Sequence, residues 1–202
     1  MRSARTTRRY VMLTETAFLV LNALYLKKMA NFAALVECVR LPEADVQEAL
    51  NEAVKEGQAL DLNGEYLLDV PGRRAVLEYY GETYLPKRAA VTDWYERFET
   101  LNSQFLKLVS EFQTSEGDAR VLAQLMKVVE RQITALRKIE SDIPRYGVYA
   151  DRFATAIERV DLGDRSFVTN PRADSVHNIW FEFHEDILAV VGRPRETVED
   201  VH

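Results

Sequence analysis

The chain is poor in everything that would punctuate or cross-link it. Its 202 residues include one cysteine, six prolines and eight glycines. A lone Cys38 excludes an intrachain disulfide, and its place in an apolar helical pattern reads as a small buried hydrophobe. So few glycines and prolines disfavour a fold of many short strands and favour long helices. Histidine is scarce, at three, and one of these is His202. There is no Gly-rich phosphate loop, CxxC pair, HExxH helix or nucleophile elbow, so the expectation is a non-enzyme that needs no cofactor. No hydrophobic run reaches bilayer length. The arginine-rich start (Arg2, Arg5, Arg8, Arg9) precedes an apolar stretch. Thr14, Glu15, Thr16 and Asn22 interrupt that stretch and no small-residue cleavage site follows, so no signal peptide is expected and the expected compartment is the cytoplasm. Positive charge is in deficit, 26 Lys and Arg against 32 Asp and Glu, for a net charge of −6. That excludes a general nucleic-acid coat but not a local DNA-binding face.

What is present is ample apolar material in helical rhythm. The chain is 47% hydrophobic and 29% charged, enough for a core without metal or disulfide. Phe18, Leu21, Leu24 and Tyr25 form a stripe at helical spacing and predict a helix over 14–28, with Thr14 as N-cap. Phe32, Leu35, Val36 and Val39 predict a second over 31–39, capped by Asn31. Pro42 breaks the chain and suits the first turn of a third helix over 43–56, with Val46, Leu50, Ala53 and Val54 on one face. Gly57 is placed to end it. The period then changes. Ala59, Leu60 and Leu62 lie before Asn63-Gly64, and Tyr66, Leu67 and Leu68 after it, the pattern of a β-hairpin with a type I′ turn. Pro71-Gly72 ends the hairpin, and another helix is expected from Ala75.

Helix, helix, turn, helix, hairpin is the element order of a winged helix-turn-helix. The run Val46-Gln47-Glu48-Ala49-Leu50, followed by Ala53-Val54-Lys55-Glu56-Gly57, resembles the recognition-helix signature of winged-helix bacterial transcriptional regulators. MarR-, PadR- and GntR-type regulators are all similar, and a winged domain placed first with helices after it is closest to the PadR and GntR arrangement. The resemblance implies double-stranded DNA as partner. On that reading the third helix enters the major groove, where Gln47 and Asn51, four apart on the outer face, suit adenine. Arg73 and Arg74 would hold phosphates, and Arg8 and Arg9 belong to a tail like those that enter a minor groove. One departure stands out. Between residues 30 and 70 nine acids face two bases, a net of −7, and acids near phosphates oppose binding. The competing expectation is therefore a winged helix used for protein contact without DNA.

After Pro86 the pattern is helical throughout. Val91, Trp94, Phe98, Leu101, Phe105, Leu108 and Phe112 repeat at three and four spacing to about 114, the stripe of a bundle or coiled-coil helix. Helices over 119–141, 146–160 and 174–191 are expected next, with a polar loop from Asp161 to Asp174. The fold class is thus mainly α, a winged domain over 1–82 followed by an all-helical bundle over 83–202 that serves in dimerisation and ligand sensing. His177 and His184, seven apart, stack on one face of the last helix. With Trp180, Phe181, Arg145 and Tyr149 they are the candidate lining of a pocket for a small organic ligand. Glu182, Glu185 and Asp186 are expected on the opposite side. The likeness to GntR-type regulators implies metal held by histidines and a carboxylate. Such sites usually take three histidines, and this chain offers two, so no metal is assigned and a metal-dependent sensor is the third reading. The leading reading is a dimeric, ligand-responsive DNA-binding regulator.

Overall fold

A computed structural model describes residues 12–193 of the chain. Arg8, Arg9 and His202 lie outside the described residues. The chain is mainly helical, with one small antiparallel sheet. It forms two compact units, Met1–Val36 with Leu41–Tyr79, and Glu37–Arg40 with Tyr80–His202.

In the first unit, α1 (Glu15–Lys27) begins where the Thr14 side chain accepts a hydrogen bond from the Ala17 amide at 3.2 Å. It buries Phe18, Leu21 and Leu24. Lys28 then turns the chain out of the helix at φ 69°. This frees Met29–Asn31 to form β1, a strand the apolar pattern does not announce because it is three residues long. Asn31 ends it and caps α2 (Phe32–Val39), accepting from Ala34 N at 3.0 Å. Helix α3 (Glu43–Lys55) buries Val46, Leu50 and Ala53 and packs on α1.

The strands β2 (Ala59–Leu62) and β3 (Glu65–Leu68) meet at Asn63 and Gly64, whose φ values of 58° and 90° are both positive. A type I′ turn demands that pair, which few residues other than Asn and Gly supply at low cost. The sheet order is β1-β3-β2. Its register sets Met29 opposite Leu67 and Leu67 opposite Leu60, an apolar row on the outer face, while Ala30 and Ala59 point into the core.

Helix α4 (Val70–Tyr84) starts five residues earlier than the expected Ala75. Pro71 fits because the first turn of a helix needs no backbone donor there. Gly72 is part of the helix and not simply the end of the hairpin. It is buried, and a Cβ at that position would overlap the Gln58 carbonyl oxygen.

In the second unit Pro86 sits in a 3-10 turn, Leu85–Lys87, ahead of the long α5 (Arg88–Thr114). Then come α6 (Ala119–Ile139), capped by Asp118, and α7 (Arg145–Asp161). The expected loop holds one short helix, α8 (Ser166–Thr169), before α9 (Val176–Val191), which Ser175 caps. Helix α5 packs on α6 and α9, and α7 on α6, α8 and α9. The core is aromatic. Trp180 stacks on Phe105 at 3.9 Å with 2° between ring planes, and its indole N–H donates to the buried Asn102 side chain at 3.0 Å. Among the described residues no helix is long and apolar enough to cross a membrane.

Gln132 interrupts the buried face of α6. It is fully buried, and neither side-chain amide atom has a hydrogen-bond partner among the described residues. Leaving such a group unmade costs about 1–3 kcal/mol. Replacing it by an apolar residue of similar length should therefore stabilise the chain. Gln132→Met is expected to raise the unfolding free energy by about 1–3 kcal/mol in urea titrations; an unchanged or lower midpoint would show that the amide has a partner.

Candidate functional site

Two places concentrate polar chemistry, the surface of α3 in the first unit and a buried charge network in the second. On α3 the turn of ~100° per residue sorts the exposed side chains into two stripes. Asp45, Glu48, Glu52 and Glu56 follow one another at spacings of three and four. Gln47, Asn51 and Lys55 follow at spacings of four on a different side. The Gln47 amide donates to the Asn51 side-chain oxygen at 3.0 Å, so the two predicted base-reading residues are together, exposed or half-exposed, and bonded to each other. Lys55 is turned to Glu52, 3.0 Å away, and that contact raises its pKa by hydrogen bonding first and charge second. Arg73 and Arg74 are exposed at the start of α4. Arg73 lies 5.7 Å from the Tyr25 ring, and Arg74 is 3.8 Å from Glu78.

The acidic stripe has a second property that no periodicity count shows. It forms a wall of a groove of about 900 Å³ bounded also by the starts of α1 and α4. Leu13, Ala17, Leu21, Ala49, Ala53 and Ala75 supply apolar lining. The alanines leave the concavity open because a methyl group is too small to fill it.

In the second unit, Arg145 and Asp186 form a buried bidentate pair, with Nη2 to Oδ1 at 2.5 Å and Nε to Oδ2 at 2.9 Å. Asp186 is fully buried. Arg145 also donates to the Tyr84 hydroxyl. The Tyr146 and Tyr149 hydroxyls donate to Asp186 at 3.4 and 3.3 Å. Burial pushes both phenols well up, and the Asp186 charge adds to it, so they remain O–H donors. Burial is the largest influence on the Arg145 guanidinium and pulls it down; Asp186, Tyr80 and Tyr146 together outweigh it and hold the group above its ordinary range. Two turns along α7, Arg152 reaches Glu182, one turn from Asp186 on α9, at 2.5 Å, and Asp174, just before α9, at 2.6 Å. Burial opposes its charge as well, and Cys38, Glu182 and Asp174 outweigh that. The Cys38 thiol points to Glu182 at 3.9 Å. Arg145 pairs with Asp186 and Arg152 with Glu182, in reverse chain order, so α7 and α9 run antiparallel.

This network adds burial to the expectation for α9. Glu182 and Asp186 lie across the helix from His177 and His184 at ~100° per residue, and both are buried there among apolar residues. Asp186 follows Ile179 by seven residues and Phe183 by three, which already puts it among core positions. The matching signal was Arg145, Tyr149 and Arg152 at four and three spacing, a stripe of donors on the facing helix. The structure brings Arg145 and Tyr149 together through Asp186. Trp180 is spent on Phe105 and Asn102. His177 packs against Phe181, with ring centres 4.6 Å apart. His184 lies beside Phe98 and 3.4 Å from Glu99. Among the described residues no three His, Cys, Asp or Glu side chains converge to hold a metal ion. No protein-family model, characterised protein or solved structure matches the chain.

Two outcomes are expected. Asp186→Asn leaves Arg145 as a buried charge with no ionic partner and should cost about 3–5 kcal/mol, whereas Arg145→Met with Asp186→Leu removes both charges and should cost far less. Equal losses from the two variants in denaturant melts would contradict this account. His177 titrates below its ordinary value of 6.5, because burial lowers it more than Asn178 raises it. The unfolded chain then takes the proton first, so the stability tied to neutral His177 is full above pH 6.5 and is lost as pH falls below it. His177→Gln should flatten that decline in melts between about pH 7 and 5; an unaltered slope would assign the decline to other groups.

Proposed function

We propose that this chain is a winged-helix interaction protein, in which the N-terminal unit recognises a protein partner and the helical unit carries it. The order α1-β1-α2-α3-β2-β3, with β3 central in the sheet, supports reading the first unit as a winged helix. The observation that carries the function is where the unit's acids stand. Ten acids and nine bases nearly balance over the whole unit, four of the bases being Arg2, Arg5, Arg8 and Arg9, but four of the acids form one stripe along α3. The helix that would enter a major groove presents Asp45, Glu48, Glu52 and Glu56. Each would face a phosphate backbone at a Coulombic cost. A protein surface of opposite charge has no such penalty and associates faster for it.

A second reading has its own observation. Gln47 and Asn51 form an amide pair on the exposed side of α3, and Arg73 and Arg74 are exposed nearby in sequence. These are the groups a dimeric regulator would use on two half-sites, with the helical unit as dimerisation and sensing domain. Fluorescence anisotropy of the purified chain with its own upstream duplex, against a scrambled duplex, decides between the two. No preference for the native duplex is expected at about 50 mM salt. Selective binding with a steep salt slope, lost on Gln47→Ala, would establish the regulator and remove the interaction reading.

A further inference from the structure

The groove beside α3 has an occupant written into its chemistry, and we propose that it docks a basic amphipathic helix of a partner protein. This rests on the interaction reading and names the partner's chemistry. Asp45, Glu48, Glu52 and Glu56 all line the groove. Their spacing places them along one side of three helical turns, about 16 Å. Among the described lining residues Arg74 is the one base, and it is 3.8 Å from Glu78. Next to the acidic wall lie Leu13, Ala17, Ala49 and Ala75, an apolar surface with room for the larger side chains of another chain.

Both features are needed to define the occupant. An acidic ridge alone is a solvated helix face. An apolar trough alone would accept any hydrophobic segment. Side by side they select a helix with Lys or Arg repeating at three and four spacing along one edge and large apolar residues along the next, the helix-in-groove mode of recognition. The apolar edge would supply the buried contact and the cations would fix register and exclude acidic helices. Duplex DNA offers the wrong charge, and a neutral amphipathic helix offers no partner for the wall.

The test uses the full chain and a fluorescein-labelled helical peptide with Lys on one edge and Leu on the next. A control peptide carries Glu in place of every Lys. The Lys peptide should bind at least about tenfold tighter than the control, and its affinity should fall as salt rises. Glu48→Lys with Glu52→Lys should weaken it by about tenfold or more; both residues are exposed, so folding should be unaffected, as a thermal melt would verify. Glu96→Lys with Glu130→Lys changes net charge equally on the helical unit and should leave affinity unchanged. Ala49→Phe should weaken binding with no change of charge. Equal binding of both peptides, equal loss from the two charge-reversal pairs, or indifference to Ala49→Phe would each overturn the proposal. So would a chain that self-associates through the groove and becomes monomeric on Glu48→Lys with Glu52→Lys, since the occupant would then be a second copy. If the peptides fail and duplex DNA also fails to bind selectively, the basic occupant is lost while the interaction reading stands. Selective DNA binding removes the reading itself.

Discussion

The second unit is organised around two buried arginines. Burying a guanidinium is costly, and the cost is offset only where a carboxylate meets it with good geometry. Arg145 finds that geometry at Asp186, and Arg152 at Glu182 and Asp174. The partners sit on α9 and at its approach, so α7 and α9 can pack in one register. A slip of one turn, 5.4 Å, would leave several charges buried and unmatched. The aromatic contacts around Trp180, Phe105 and Phe183 lie in the same core. They are far less directional than the ion pairs, and it is the ion pairs that choose among alternative packings of the same side chains.

The first unit carries its described charges on the outside, away from its core. Its core is made from α1, α2, α3, the first turns of α4 and the inner face of the sheet. The acids of α3 add nothing to that core and sit at the edge of a concavity. A helix that served only to pack would tolerate bases, amides or acids there equally. A run of four acids in one stripe, with a different set of groups on the neighbouring stripe, gives the helix two distinct surfaces.

Much of the fold was legible because its signals are local. Thr14, Asn31 and the Asn63-Gly64 turn act over two to four residues, and each does what its chemistry suggests. The 27-residue α5 follows from its aromatic stripe. The misses are non-local. Strand β1 exists because β3 has an open edge to receive it, and nothing within Met29–Asn31 says so. Asp186 and Glu182 were placed opposite the histidines with no partner assigned; acids are seldom buried, and their burial depends on arginines about 30 to 40 positions away. The groove depends on three helices and on alanines, which carry almost no sequence signal. Of the expected ligand residues, Arg145 and Tyr149 do meet, around a carboxylate of the protein itself.

The joint between the hairpin and α4 has a mechanical consequence. The Gln58 carbonyl just before β2 accepts the amide of Asp69 just after β3, at 3.0 Å. The same carbonyl lies against Gly72, where there is no space for even a methyl group. One peptide group therefore clamps the hairpin's two legs at their base and presses on the first turn of the helix. Such a joint ties the base of the hairpin to the start of α4 and favours bending at the far end, near Asn63 and Gly64, over bending at the base.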